Sequence, residues 1–327
     1  MREPPFWWRK AALAAGLLAP AAAGYGAIAK RRMAREGQQV GVPVLCVGNF
    51  THGGAGKTPT VLWLASWLQQ AGERVFCLSR GYGGSLAGPK LVDVNADGAA
   101  LVGDEALLLA RVAPTIVARD RVAGAEVAVL AGASIIVMDD GLQNPSLAKD
   151  FTLAAVDARR GIGNGRVFPA GPLRAPLAAQ LARADALLVV GEGDGARAIA
   201  TALPVFRGRL LPDPAVTADL KTHQVFAFAG IGDVDKFFKT VNDAGITIAQ
   251  RRTFPDHHRY TAEEAAALIR QAEAGGLTLL TTAKDRARMI GEPALAALAE
   301  KTRVLPVTLA VEEADDLRRQ VRAKLRR

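Results

Sequence analysis

Hydrophobic and polar positions follow two different periods after residue 40, which predicts strands and helices in turn. A β-rich run over 42–47 is followed by a helical pattern over 57–71 and by a second β-rich run over 74–78. This alternation is typical of a parallel sheet flanked by helices, because parallel strands need crossover connections. Further strands are predicted at residues 115–118, 134–138, 152–156, 186–190 and 205–210.

A Pro-containing stretch at residues 211–222 precedes a second group of strand patterns. We therefore predict a larger α/β domain over 37–220 and a smaller α/β domain over 221–327. The strands of the second domain are predicted at residues 225–229, 246–251, 277–281 and 304–307. A chain of 327 residues is long enough for two such cores.

Composition narrows the class of protein. Half of the residues are hydrophobic and 22% are charged, which excludes an intrinsically disordered chain. The two cysteines, Cys46 and Cys77, lie in apolar strand-like runs and form no CxxC or Cys/His cluster. We therefore expect neither a disulfide framework nor a zinc site, and a reducing compartment fits best.

The first 36 residues form a basic and apolar segment of their own. They carry seven basic and two acidic residues, and this excess is more than half of the net charge of +9. Residues 11–29 are uncharged, but the run is rich in alanine, is interrupted by glycine and proline, and has cations at both ends. Because these features argue against spanning, we predict a helix or helix pair in the cytoplasmic face of the inner membrane. A cleaved signal peptide is the alternative.

The distribution of charge also bears on partners. A second basic cluster, over 318–327, ends the chain, and acidic residues just before it offset most of its charge. Basic residues interleaved with aromatics, as in a nucleic-acid groove, are not seen along the domains. We therefore expect a membrane surface and an anionic substrate as partners, with no nucleic acid and no obligate protein partner.

A glycine-rich segment between the first strand and the first helix carries the clearest chemical signal. Glycines let backbone N–H groups approach phosphates, and a helix start adds positive potential. Lys57 is predicted to contact the β- and γ-phosphates and Thr58 to ligate Mg²⁺. Thr51 stands where the strict phosphate-loop pattern has glycine. The residues predicted to bind the nucleotide are Thr51, His52, Gly53, Gly54, Ala55, Gly56, Lys57 and Thr58.

An acidic pair supports this nucleotide site. The strand over 134–138 leads into Asp139 and Asp140, which places carboxylates at the edge of a parallel sheet where ligands bind. One of them should hold Mg²⁺, although an ordinary turn is the alternative interpretation of the segment alone. ATP is favoured over GTP, because Lys284 lies directly beside Asp285, whereas the guanine-reading motif separates these residue types.

Three further segments could act on an acceptor hydroxyl. Asp104 precedes a helical run, where an aspartate is an ordinary N-cap, and spacing alone favours that interpretation. Tyr82 follows a strand, either at the site or in a glycine turn. His257 and His258 are adjacent, and on an extended chain they point to opposite faces, so one functional imidazole is favoured over a joint metal site.

These motifs together resemble the tetraacyldisaccharide 4′-kinase family of the lipid A pathway. They run in order over most of the chain, and their combination is specific. Asn144 and Ala175 depart from the family pattern, which often has a histidine and an acidic residue at these places. The matching segments are residues 48–59, 79–82, 103–105, 139–143, 163–174, 254–258 and 281–285.

The resemblance implies transfer of the γ-phosphate of ATP, with Mg²⁺, to the 4′-hydroxyl of tetraacyldisaccharide 1-phosphate. It implies that Asp104 is the catalytic carboxylate, in place of the cap interpretation, and that His257 or His258 assists it, with His257 preferred. Lys57 would hold the transferred phosphoryl group. Further implied site residues are Tyr82, Asp139, Asp140, Gln143, Arg174 and His258. A nucleotide switch at the membrane surface that acts on protein partners is the alternative function.

Overall fold

The computed structural model describes residues 3–9 and 13–325. Some residues that the sequence analysis assigned to the basic or apolar segments lie outside the described residues, namely Arg2, Lys10, Ala11, Ala12, Arg326 and Arg327.

The secondary structure alternates between strands and helices along most of the chain. The strands are β1 (Val44–Asn49), β2 (Val75–Ser79), β3 (Lys90–Leu91), β4 (Thr115–Val117), β5 (Ile135–Asp139), β6 (Phe151–Asp157), β7 (Ala186–Val190), β8 (Val205–Pro212), β9 (Gln224–Ala229), β10 (Thr247–Thr253), β11 (Thr278–Thr281), β12 (Thr302–Val304) and β13 (Val307–Val311). The α-helices are α1 (Leu13–Leu17), α2 (Ala19–Met33), α3 (Lys57–Gln70), α4 (Ala99–Val102), α5 (Asp104–Ala110), α6 (Arg121–Leu130), α7 (Leu177–Leu181), α8 (Pro214–Leu220), α9 (Val234–Asp243), α10 (Ala262–Ala274), α11 (Ala283–Ala287), α12 (Ala296–Lys301) and α13 (Ala314–Leu325).

The larger sheet has the strand order β13-β8-β7-β6-β1-β5-β2-β4-β3 in the described part of the chain. Its central strands pair in parallel, and only the edge strands β3 and β13 pair antiparallel within this sheet. Every residue of β1, β2, β5, β6 and β7 is buried, which explains their continuous apolar runs. The predicted α/β class, a parallel sheet flanked by helices, is confirmed.

Helices cover both faces of the larger sheet. Leu64 and Leu68 of α3 pack in the core on one face together with Cys77. Ala125 of α6 packs with Cys46 on the other face. Both cysteines are free, and burial raises the pKa of Cys46 to about 11 and that of Cys77 to about 12. The thiols therefore stay protonated and act as small apolar core residues.

The smaller sheet has four parallel strands in the order β10-β9-β11-β12. Phe228 of β9 and Leu268 of α10 are fully buried in the core on one of its faces. This sheet follows α8, so the chain starts a second α/β unit close to the predicted boundary at residue 220.

The end of the chain returns to the larger sheet. β13 pairs antiparallel with β8, and Leu317 and Val321 of α13 are buried in the core beneath α3. We predicted one strand over 304–307 within a domain that runs to 327. Pro306 divides that run, because proline has no N–H to donate to a ladder, and two strands of different sheets result.

The N-terminal segment forms a short helix pair, α1 and α2, as its sequence predicted. Within residues 3–9 and 13–325, we find no helix that combines the length and the apolar character needed to cross a bilayer. Its location at a membrane surface stays a prediction.

Candidate active site

The phosphate loop joins β1 to α3 at the carboxyl-terminal edge of the larger sheet. Gly53 and Gly56 have φ angles of +97° and +85°, a left-handed conformation that glycine adopts without steric cost. Gly56 is the N-cap of α3, and in the described part of the chain no side chain caps the first backbone N–H groups of this helix. Open amides at a helix start bind anions, so the loop is built to hold phosphates.

Thr51, which replaces a glycine of the strict pattern, takes part in an isolated antiparallel bridge with Leu173. Its carbonyl oxygen accepts hydrogen bonds from Asn49 Nδ2 at 2.7 Å and from Arg174 Nε at 3.0 Å. A residue in a β-bridge has an extended backbone, which does not require glycine. The departure from the pattern therefore leaves the loop intact.

Lys57 is the first residue of α3 and is buried. Its Nζ lies 3.4 Å from Asn49 Oδ1 and 3.8 Å from Asp140 Oδ1. The ammonium group is thus held beside the loop, between the ends of β1 and β5.

The two carboxylates at the end of β5 have different surroundings. Asp140 has a left-handed backbone, with φ of +52°, and Arg174 Nη1 donates to both of its oxygens at 2.7 and 2.9 Å. Burial raises the pKa of Asp140, but the charges of Arg174 and Lys57 outweigh burial and hold it well below its ordinary value. For Asp139, burial and the charges of Glu105 and Asp140 raise the pKa to about 7.

The unpaired oxygen of Asp139 fits a divalent cation. Among the described residues, nothing donates a hydrogen bond to its buried Oδ1, and such a group is costly without a partner. No group of three or more His, Cys, Asp and Glu side chains in residues 3–9 and 13–325 is arranged to hold a metal. A Mg²⁺ ion here would therefore need phosphate and water oxygens besides Asp139 and Thr58, which is how Mg²⁺ usually binds at phosphoryl-transfer sites.

Asp104 meets two basic side chains from the smaller unit. Its Oδ2 lies 3.3 Å from His257 Nδ1 and accepts a hydrogen bond from Arg288 Nε at 2.7 Å. Gly103, not Asp104, is the N-cap of α5, so the cap interpretation is wrong. Burial raises the pKa of Asp104, but the His257 hydrogen bond and the Arg288 charge hold it well below its ordinary value. Burial lowers the pKa of His257, and the contact with Asp104 outweighs burial and raises it.

Glu105 connects the phosphate loop to the smaller unit. Its Oε1 accepts hydrogen bonds from Thr58 Oγ1 at 3.3 Å and from Lys284 Nζ at 2.5 Å. Burial raises the pKa of Glu105, but the charges of Lys284 and Lys57 outweigh it, so the net shift is downward. Since Glu105 follows Asp104 in the chain, these contacts place the Asp104–His257 pair next to the phosphate loop.

A cavity of about 300 Å³ adjoins this pair. Tyr82, 60% exposed, lines it with its ring centroid 4.8 Å from that of His257 in an edge-on arrangement. Arg259 also lines the cavity, and its Nη2 donates to the Gly83 carbonyl oxygen at 2.8 Å. The cavity can present a polar acceptor to a carboxylate and an imidazole beside a phosphate site.

The N-terminal 3₁₀ turn, Pro5–Trp8, packs on the phosphate loop. Trp7 is buried, and its ring centroid lies 5.9 Å from that of His52. The Glu3 carboxylate lies so close to Gly53 that a Cβ at this glycine would clash with it. The loop is therefore supported from outside the sheet by the chain's first described residues.

Comparison with known proteins decides the family. The model of one family, described as Tetraacyldisaccharide-1-P 4′-kinase, matches residues 14–326. The chain belongs to this family. The resemblance inferred from the motifs is thus confirmed, and a kinase is supported over a nucleotide switch.

Relatives within the tetraacyldisaccharide 4′-kinase family cover the whole chain. A protein of Methylobacterium sp. (strain 4-46) with this name is 57% identical over 334 residues, which cover 100% of this chain and 98% of the relative. Another, from Rhodopseudomonas palustris (strain BisA53), is 54% identical over 330 residues, 99% of this chain and 96% of the relative. The crystal structure of the "apo" form of LpxK from Aquifex aeolicus in complex with ATP matches with a TM-score of 0.76 and 26% identity, over 95% of this chain and 99% of that one.

Three residues that were expected to contact ligands have side chains that contact other protein groups. Gln143 Nε2 donates to the Asn49 carbonyl oxygen and to Gln180 Oε1, both at 2.7 Å, so its amide supports the end of β1. His258 Nε2 lies 2.7 Å from Glu264 Oε2, away from Asp104. His52 packs among aromatic rings, and burial followed by the Arg174 charge lowers its pKa to about 4.

Glu105, Lys284 and Arg288 lie at the candidate site but were not among the residues predicted from the sequence. Glu105 and Lys284 stand in segments that matched the 4′-kinase family, where no role was predicted for them. Arg288 lies outside every matched segment. A signal existed only for Lys284, as a basic residue beside Asp285 in the second domain.

Proposed function

We propose that this protein transfers the γ-phosphate of ATP to the 4′-hydroxyl of a tetraacyldisaccharide 1-phosphate. Family membership supports the reaction, and the Aquifex aeolicus relative was crystallised with ATP. The observation that carries the proposal for this chain is the position of the Asp104–His257 pair, in which the carboxylate is buried and the imidazole is half-buried. Asp104 is followed in the chain by Glu105, which accepts a hydrogen bond from Thr58 of the phosphate loop.

The phosphate loop holds the donor. The amides from Gly53 to Lys57 surround the phosphates, and the Lys57 ammonium leaves Asn49 and Asp140 to neutralise developing charge on the γ-phosphoryl group. Mg²⁺, when bound, would neutralise further phosphate charge, and Asp139 with Thr58 are the residues that would hold it. Glu105 Oε1 accepts a hydrogen bond from Thr58 Oγ1, which would leave the lone pairs of this hydroxyl free to ligate Mg²⁺.

The acceptor hydroxyl binds in the cavity beside Tyr82. Ionised Asp104 orients the hydroxyl, and His257 keeps the carboxylate ionised by sharing its Oδ2. As the bond from the acceptor oxygen to phosphorus forms and the bond to the leaving ADP oxygen breaks, the hydroxyl proton passes to the Asp104–His257 pair. Arg174, paired with Asp140, and Tyr82 are assigned to substrate contacts, whereas Gln143 and His258 are assigned supporting roles.

The N-terminal helices attach the protein to the cytoplasmic face of the inner membrane, where a lipid acceptor would be found. Leu13 and Leu17 of α1 are 92% and 84% exposed, and Ile28 of α2 is exposed as well. Basic residues end α2 at Lys30–Arg32. Exposed apolar side chains beside cations suit an interface with anionic headgroups.

The decisive experiment incubates the full chain with γ-labelled ATP, Mg²⁺ and the disaccharide lipid. We expect label in the lipid, and Asp104→Ala should abolish transfer while ATP still binds. Label that appears only in free phosphate would contradict the kinase and favour a nucleotide switch.

A further inference from the structure

Arg288 is a buried cation that spans the two units of the molecule. It follows α11 in the smaller unit, yet its Nε donates to Asp104 Oδ2 at the start of α5 in the larger unit, at 2.7 Å. It is 8% exposed and lines the cavity beside His257. Its guanidinium therefore contacts the same carboxylate oxygen as the imidazole does.

The other side of the guanidinium is anchored within the smaller unit. Arg288 Nη1 donates to Asp285 Oδ1 and to the Gly230 carbonyl oxygen, both at 2.9 Å. Asp285 is itself fully buried and accepts hydrogen bonds from Tyr260 Oη at 2.7 Å and from the Gly230 amide at 2.8 Å. The position of Nε is thus determined by groups that lie outside the larger sheet.

We propose that Arg288 is a positioning residue for phosphoryl transfer. Its guanidinium holds the Asp104 carboxylate toward His257 and the acceptor, and it can do so only when the two units are docked. This inference rests on the proposed function of the Asp104–His257 pair. It adds a third group that acts through Asp104 and does not touch the reacting atoms.

The geometry of the contacts requires arginine in particular. A guanidinium is planar and presents several donors in fixed directions, so it can bond Asp104, Asp285 and a carbonyl oxygen at once. An ammonium at the same place keeps the charge but cannot reproduce this fork. The backbone bond from Glu105 N to Asp104 Oδ1, at 2.9 Å, fixes only the other carboxylate oxygen. Without Arg288, no second donor among residues 3–9 and 13–325 holds the oxygen that faces His257.

The test compares Arg288→Lys and Arg288→Ala with Arg303→Ala, a control. Arg303 is an arginine of the same unit, and it pairs with exposed Asp219. Transfer from γ-labelled ATP to the disaccharide lipid gives kcat and KM, and calorimetry gives the ATP affinity. NMR titration of the ligand-free protein gives the titration midpoint of His257. Millimolar guanidinium is then added to Arg288→Ala.

We expect kcat to fall by about 10- to 100-fold in both Arg288 variants, the effect of losing a hydrogen bond to a charged group, with ATP affinity unchanged. Guanidinium should restore much of kcat in Arg288→Ala. The His257 titration midpoint should shift in Arg288→Ala, because the shared carboxylate has lost a cation, and it should not shift in Arg303→Ala.

Unchanged kcat in both Arg288 variants would overturn the proposal. So would a loss of kcat that guanidinium does not restore and that comes with an equal loss of ATP binding, since this pattern indicates a structural role. An unchanged His257 midpoint would also contradict it. If wild-type protein transfers no label to lipid, the proposed function fails instead, and the His257 titration still tests Arg288.

Discussion

At the scale of single residues, the ionisation of His257 depends mainly on one neighbouring carboxylate, that of Asp104. Asp104 Oδ2 lies 3.3 Å from its Nδ1, and this contact raises the pKa of His257 although burial lowers it. The charges of Asp256 and Glu105 act in the same direction and are weaker causes. The imidazolium is therefore stabilised in the folded protein relative to the unfolded chain.

We predict that Asp104→Asn lowers the pKa of His257. The pair stabilises the fold fully below the unfolded pKa of about 6.5, and this contribution is lost as pH rises through the raised folded pKa. The variant should lack this part of the pH dependence of stability. NMR titration of His257 and urea unfolding at several pH values measure both effects. Asp243→Asn, at an exposed carboxylate of α9, is the control, and equal His257 midpoints in all three proteins would refute the prediction.

At the scale of elements, the Glu105–Lys284 ion pair joins α5 to α11. We expect Lys284→Met to reduce the free energy of unfolding by about 1.5–3 kcal/mol, because Glu105 loses a charged hydrogen-bond partner. Lys301→Met, at an exposed ion pair with Glu273, should change it much less, because water and salt screen exposed charges. Urea unfolding measures both.

A double-mutant cycle separates the pair from its surroundings. The double variant Glu105→Gln/Lys284→Met should lose less free energy of unfolding than the two single variants lose together. Each single variant leaves one charge without its partner, whereas the double variant leaves neither charge in place. Strictly additive costs would show that the two side chains do not stabilise each other.

The 3₁₀ turn of the N-terminal segment supports the phosphate loop through Trp7. We expect Trp7→Ala to weaken ATP binding by roughly tenfold, because the buried indole packs against His52 and its loss lets the loop shift. Calorimetry measures the affinity. Tyr25→Ala is the matched control, since the ring pairs of the described residues join this exposed tyrosine to Phe168 and not to His52. Equal ATP affinity in wild type and Trp7→Ala would show that the loop holds its shape without this support.

Elements formed by local sequence could be predicted closely. The phosphate loop follows from glycines at positions with positive φ between a buried strand and a helix, and such signals are contiguous in the chain. Asp139 and Asp140 could be placed at a sheet edge because the preceding run is apolar throughout. The parallel pairing of the central strands follows from the same alternation, whereas the order of the strands in the sheet does not.

Contacts between distant segments could not be predicted in this way. Arg288 reaches Asp104 across 184 positions of sequence, and Lys284 reaches Glu105 across 179. Both contacts depend on how two separately predicted units dock, which periodicity does not encode. The contact of His258 is local in contrast, because Glu264, six residues later, engages it and also forms a capping box with Thr261.

At the scale of the whole molecule, the N-terminal helices expose both apolar and basic groups. Leu13 and Leu17 are exposed on α1, and α2 ends in three consecutive basic residues at Lys30–Arg32. Apolar burial and headgroup attraction add, so the segment should bind anionic bilayers more tightly than neutral ones. A lipid acceptor would then be reached without leaving the membrane.

We predict that Leu13→Asp with Leu17→Asp reduces binding to anionic phospholipid vesicles by about 100-fold or more, because each exposed leucine contributes about 1.5–3 kcal/mol when buried. Vesicle co-sedimentation measures binding, and added salt should weaken it in the wild type by screening the basic residues. Leu130→Asp is the control, since this leucine is 87% exposed on α6 of the larger unit, outside the N-terminal helices. If Leu130→Asp weakens binding as much as the α1 changes do, or if none of them has an effect, the N-terminal helices are not the membrane-binding surface.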